Sequence, residues 1–203
     1  HHPLIDESKA LLESCVGKSE SATQLINQLR EQKRASLITT KRTSSVAVPA
    51  LNLENDTFEP ITLDVAQDGK VSVLVFFATW CPHCRNEIPR LNAFAKTLKR
   101  DKVLKDSVQI VGIRTAIERE TEFYQNFLEK FNPEFPIFTD ASMSLNFARF
   151  ARTFSVPAGL PTVAITNQKG EIRYLLPPGK YNDTARELLW AVQDILATSD
   201  ENN

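Results

Sequence analysis

Cys81 and Cys84 stand three residues apart in the run Phe76-Phe77-Ala78-Thr79-Trp80-Cys81-Pro82-His83-Cys84. Two thiols at that spacing can close a small disulfide ring and reopen it, giving or taking two electrons. The apolar residues before them read as a buried strand, and the residues after them as the opening of a helix. Cys81 then falls at the helix N-terminus, where unsatisfied backbone N–H groups and the positive end of the helix dipole favour thiolate over thiol. The thiolate is the form that attacks disulfides. Cys84, one turn inward, can resolve the mixed disulfide that results. The alternative use of such a pair is half of a structural zinc site, which wants four ligands. The other strong ligand types are Cys15 and three histidines, two of them at the terminus, so redox chemistry is the better reading.

The elements that must position these thiols can be followed along the chain. Asp68-Gly69-Lys70 is a turn into a central strand at Val71–Phe77. The helix that follows carries Ile88, Leu91, Phe94, Ala95 and Leu98 on one face, with Pro82 in its first turn, where a missing N–H costs little. Pro89 lies deeper and is expected to kink it. Residues 108–113 form a second buried strand. Phe123, Phe127, Leu128 and Phe131 mark an amphipathic helix, a stripe that reads as core, and residues 145–154 a short one. Strands at Thr162–Thr166 and 172–175 flank the turn Asn167-Gln168-Lys169-Gly170 as a hairpin, and a closing helix spans about 182–197. Ahead of the central strand lie an extended segment at 48–53 and a short strand at 61–63. The order β-α-β-α-β-β-α predicts an α/β domain, a mixed sheet covered by helices on both faces.

With 203 residues, 42% hydrophobic and 24% charged, the chain has the composition of a folded globular protein. A net charge of -1 argues against a nucleic-acid partner. The longest apolar run is far too short to span a bilayer. Two helices are expected before the main domain. The first carries Leu4, Ile5, Leu11, Leu12, Cys15 and Val16 at helical spacing, and the second, at about 20–34, buries Ala22, Leu25, Ile26 and Leu29. The polar stretch from Thr39 to Ser45 is a linker, so we expect an N-terminal extension over 1–45, a main domain over 46–198 and a disordered tail over 199–203. His1-His2 reads as the remnant of an expression tag, which leaves room for an export signal or anchor upstream.

The order of elements, with Trp-Cys-X-X-Cys after the first core strand, resembles the thioredoxin fold. The finer resemblance is to the TlpA/ResA branch of extracytoplasmic thioredoxin-like proteins. It is carried by Phe77-Ala78-Thr79-Trp80-Cys81-Pro82-His83-Cys84-Arg85-Asn86-Glu87-Ile88-Pro89, by Phe135-Pro136-Ile137-Phe138-Thr139-Asp140, and by Gly159-Leu160-Pro161-Thr162-Val163-Ala164-Ile165-Thr166 with Lys169-Gly170-Glu171-Ile172. It covers about residues 46–198. It implies that Pro161 is a cis-proline beside the disulfide; Pro157 is a rival, but Pro161 stands directly before the strand. Leu160 would present its backbone to an extended substrate segment. Glu87 would tune the thiols and carry protons during exchange. Trp80 would shield the disulfide or simply pack.

Two departures matter. Pro82-His83 between the cysteines is the dipeptide of DsbA-type oxidases, and a His there can support the Cys81 thiolate and make the disulfide more oxidising. The buried Asp that thioredoxin keeps six residues before its first cysteine is replaced by Val75.

The resemblance implies a thiol–disulfide oxidoreductase acting on protein thiols and disulfides in the periplasm or another extracytoplasmic space, served by a membrane or periplasmic redox partner. No metal or organic cofactor is implied, because the Cys81–Cys84 disulfide is itself the redox group. One alternative is a ResA/CcmG-like reductase of cytochrome c maturation. Another, of a different class, is a non-catalytic thiol- or metal-binding assembly module. A copper carrier would need soft ligands, and the chain has one Met, Met143, and no Met- or His-rich stretch. Cys15 lies on an apolar stripe and reads as core. The apolar faces of the N-terminal helices need a cover, which favours a homodimer through them over docking on the main domain.

Overall fold

The run ahead of the cysteines is a strand at every position from Val71 to Phe77, and all seven residues are buried. A strand buried throughout has both faces covered, which is why it reads as a continuous apolar run instead of an alternating one. The computed structural model describes residues 48–52, 60–63, 69–114, 121–140, 159–176 and 184–200, together with Gln24, Leu25, Gln28, Leu29 and Gln32. Two compact units divide the chain, 1–39 and 40–203, the division falling at the start of the polar Thr39–Ser45 stretch. In the first unit the five described residues are helical, and Leu29 is half exposed. The expected first helix, Cys15, Pro157, the short helix at 145–154 and residues 201–203 lie outside the described residues.

The second unit has the elements β1 (Val48–Asn52), β2 (Pro60–Leu63), β3 (Val71–Phe77), α1 (Pro82–Arg100), α2 (Leu104–Ser107), β4 (Val108–Arg114), α3 (Thr121–Phe131), β5 (Ile137–Asp140), β6 (Thr162–Thr166), β7 (Ile172–Leu176) and α4 (Thr184–Asp200). They build one seven-stranded sheet in the order β2-β1-β5-β4-β3-β6-β7. β3 runs parallel to β4, and β4 to β5, whereas β6 and β7 are antiparallel to their neighbours. The five strands from β5 to β7 have the mixed pattern of the thioredoxin fold, and the antiparallel pair β1 and β2 extends one edge.

Two expectations need correction. β5 is absent from the expected order, because four residues after a proline carry too short a pattern to read. Its place depends on Gly112: a Cβ there would come within 3.0 Å of both Ile137 and Phe135, so the missing side chain lets β4 and the start of β5 close up. The second is the end of the chain, where α4 continues to Asp200, into the stretch expected to be a tail. α1 is one helix from Pro82 to Arg100 with Pro89 inside it.

The core explains why these segments settle as they do. Ile88, Leu91, Phe94, Ala95 and Leu98 of α1 are buried at helical spacing. Phe127 of α3 stacks on Phe77 at 5.6 Å between ring centroids. α3 ends because Asn132 turns to φ 39°, a left-handed cap that Asn tolerates, with Pro133 behind it. Ser72, buried inside β3, is satisfied by Gln109 Nε2 at 2.8 Å.

Candidate active site

Parallel strands β3 and β4 end side by side, with Phe77 opposite Arg114, and β6 starts next to that end, with Thr162 opposite Phe76. The topology therefore brings the segment after β3, which holds the cysteines, to the segment before β6, which holds Leu160 and Pro161. The Leu160–Pro161 peptide is cis, as the resemblance implies. Its turn is fixed by Thr162, whose buried hydroxyl donates to the Gly159 carbonyl at 2.7 Å.

Cys81 is the N-cap of α1 and Pro82 the first helical residue. The cap is made by sulfur: the Cys84 backbone N–H donates to Cys81 Sγ at 3.4 Å. From the other side the Cys81 thiol reaches the Leu160 carbonyl at 3.5 Å. That contact joins the two segments across 79 residues of sequence. Both cysteines are free thiols and both are buried. Burial, and then the hydrogen bond with Cys81, push the Cys84 thiol well above its ordinary range. Cys84 is thus a neutral thiol that must lose its proton to react.

Glu87 follows Cys84 by one helical turn. Its side chain is only 12% exposed; Oε2 pairs with Arg90 at 3.1 Å, while Oε1 is buried with no hydrogen-bond partner. A solvated helix residue would show neither property, so burial separates this carboxylate from an ordinary surface glutamate. His83 is exposed. Trp80 is 56% exposed, which rules out core packing as its role. Val75 is fully buried and apolar, leaving Glu87 the nearest carboxylate to the thiols in sequence. Among the described residues no group of three or more His, Cys, Asp or Glu side chains gathers in a way that could hold a metal.

Two arginines at this end carry no expectation from the sequence. Arg85 Nε donates to the Thr79 carbonyl at 2.6 Å. Arg114, buried at the end of β4, sets its guanidinium 4.1 Å from the centroid of the Tyr124 ring. Arg85 had one legible sign, a cation in the first helical turns of α1, where the dipole disfavours it.

Against known proteins, the chain is 29% identical over 126 residues to the sporulation thiol-disulfide oxidoreductase A of Bacillus subtilis, covering 62% of this chain and 70% of that one. It is 27% identical over 124 residues to the thiol-disulfide oxidoreductase ResA of Halalkalibacterium halodurans, covering 61% and 63%. Among solved structures, a secreted Mycobacterium tuberculosis disulfide oxidoreductase homologous to Escherichia coli DsbE shares the fold, with a TM-score of 0.55 at 24% identity over 74% of this chain and 97% of that one. These relatives agree with the TlpA/ResA-like branch to which the motifs point. The model of the AhpC/TSA family matches residues 45–175, well over half of the sequence, and the chain belongs to that family.

Proposed function

We propose that this protein is a thiol–disulfide oxidoreductase that exchanges disulfides with protein substrates outside the cytoplasm through Cys81 and Cys84. The observation that carries the reading is the Cys81 sulfur, held between the Cys84 N–H and the carbonyl of Leu160 beside a cis-proline. In the reducing direction the Cys81 thiolate attacks one sulfur of a substrate disulfide. The S–S bond breaks, a Cys81–substrate disulfide forms, and the departing substrate sulfur leaves as a thiolate that takes up a proton. Cys84 then gives its proton to a base and attacks Cys81 Sγ. The Cys81–Cys84 bond forms and the second substrate sulfur leaves, to be protonated in turn. Two electrons pass from the dithiol to the substrate, and the reverse sequence oxidises it.

Glu87 is the base in this scheme. Cys84 holds its proton tightly, and the Oε1 of Glu87 is buried with no partner one helical turn away. Leu160 and Pro161 position an extended substrate segment, whose backbone can pair with the Leu160 carbonyl as an added strand does. Exposed Trp80 offers that segment an apolar surface. Pro82 starts the helix with the geometry the cap needs, and His83 is exposed in the turn between the two thiols. No metal or organic cofactor enters the scheme.

Cys81→Ser is expected to abolish insulin reduction, and Cys84→Ser to accumulate mixed disulfides with substrate; full activity in the first variant would sink the mechanism. The direction follows from the reduction potential. A value near about -120 mV marks an oxidase or isomerase, which Pro82-His83 favours. One near about -270 mV marks a reductase, the direction that the TlpA/ResA resemblance implies.

A further inference from the structure

Arg85 takes no part in the electron and proton transfers above, and it stands where helix electrostatics disfavour a cation. It is the fourth helical residue of α1, in an opening stretch whose first turn carries no acidic side chain. Its side chain turns back along the chain, so that Nε donates to the Thr79 carbonyl at 2.6 Å. Its backbone N–H donates to the Cys81 carbonyl at 3.1 Å. One residue thus grips the chain on both sides of Trp80, across the bend that sets the Cys81 sulfur against the Cys84 N–H and the Leu160 carbonyl. Thr79 is buried, so its carbonyl lies in a protected place, and a guanidinium keeps its planar donors at any working pH.

We propose that Arg85 is a positioning residue for disulfide exchange: its Nε–H bond to the Thr79 carbonyl holds the Thr79–Cys81 turn and keeps the attacking sulfur aligned. The inference rests on the exchange reading of the site and deepens it. A nucleophile that wanders from its aligned position loses rate even when its chemistry is unchanged.

The test uses the full chain carrying Cys15→Ser and Cys84→Ser, in which Cys81 is the remaining thiol of the three. Its reaction with an uncharged dipyridyl disulfide is followed from acid to alkaline pH, with Arg85, Arg85→Lys or Arg85→Ala, beside the melting temperature of each. Lys keeps the charge but lacks the Nε–H, so both variants are expected to react roughly tenfold more slowly at every pH, with melting temperatures unchanged. A normal rate in Arg85→Ala overturns the proposal. So does rescue by Lys, which would assign the effect to charge, and so does a rate loss matched by a fall in melting temperature, which would make the role one of stability. Insulin reduction by the unmodified chain is measured in parallel; its absence counts against the exchange reading itself, whatever the Arg85 variants do.

Discussion

Up to Arg90, α1 is capped by a sulfur atom at 3.4 Å, begins without an acidic residue, contains Pro89 in its interior, and buries a carboxylate oxygen with no partner. From Leu91 onward the same helix is anchored at almost every turn. Leu91, Phe94, Ala95 and Leu98 are buried, and Asn92 makes three hydrogen bonds, from Nδ2 to the carbonyls of Phe131 and Asn132 and to Oδ1 from the Glu134 N–H. Lys96 and Lys99 pair with Glu134, and the hydrogen bond from Lys99 holds that carboxyl below the usual carboxylate range. Lys99 and Arg100 suit the negative end of the dipole. The two halves differ as a reactive region differs from the scaffold beneath it: the features that cost stability gather around the thiols, and the second half offsets them.

The largest effect that would sharpen this contrast belongs to the anchored half. Asn92→Ala removes three hydrogen bonds between α1 and residues 131–134, including the support of the left-handed Asn132. The expected cost is about 1–3 kcal/mol in a urea unfolding experiment on the reduced protein, with the rate of disulfide exchange unchanged. If exchange slowed while stability held, the division between the halves of α1 would be broken.

How much of this was legible in the sequence depended on whether a feature is local. β3 was legible because an apolar run between a turn and a CXXC has few other readings, and α1 because its buried residues repeat at helical spacing. The cis bond before Pro161 was legible only through the resemblance, since nothing in the spacing of prolines distinguishes cis from trans. β5 was not legible, because its four residues become a strand only by fitting between β1 and β4, where Gly112 makes room. Nor was the burial of Glu87, although its place three residues after Cys84 put both on one side of the helix. The backward reach of Arg85 to Thr79, and that of Thr162 to Gly159, depend on side-chain direction, which sequence spacing does not carry.

A second test reads the burial of the resolving thiol through pH. Cys84 keeps its proton in the native state well above the ordinary thiol value of 9.0, first because it is buried and second because it shares a hydrogen bond with Cys81. Below about pH 9 the thiol is protonated in both folded and unfolded chains, and its contribution to stability is fully present. Above that, the unfolded chain sheds the proton and the native one does not. The reduced protein should then lose stability as pH rises, by at most about 1.4 kcal/mol per pH unit from this group. Cys84→Ser should remove that part of the slope; an identical slope in the variant would mean that the thiol is not held as buried as the contrast requires.

The smallest effect has the opposite sign. Cys81 caps α1 with a weak acceptor, whereas Ser is among the preferred N-cap residues and its oxygen can take the Cys84 N–H at a shorter distance. Cys81→Ser should therefore raise the stability of the reduced protein by about 0.5–1 kcal/mol, read from the shift in urea midpoint, while abolishing exchange. The hydroxyl can still donate to the Leu160 carbonyl, so the cross-segment contact need not be lost. A gain in stability from the substitution that destroys the nucleophile would mean that α1 keeps sulfur at its cap at a cost, for the sake of chemistry. A loss would mean that the sulfur also serves the fold, and that the first half of the helix is less sacrificial than its hydrogen bonding suggests.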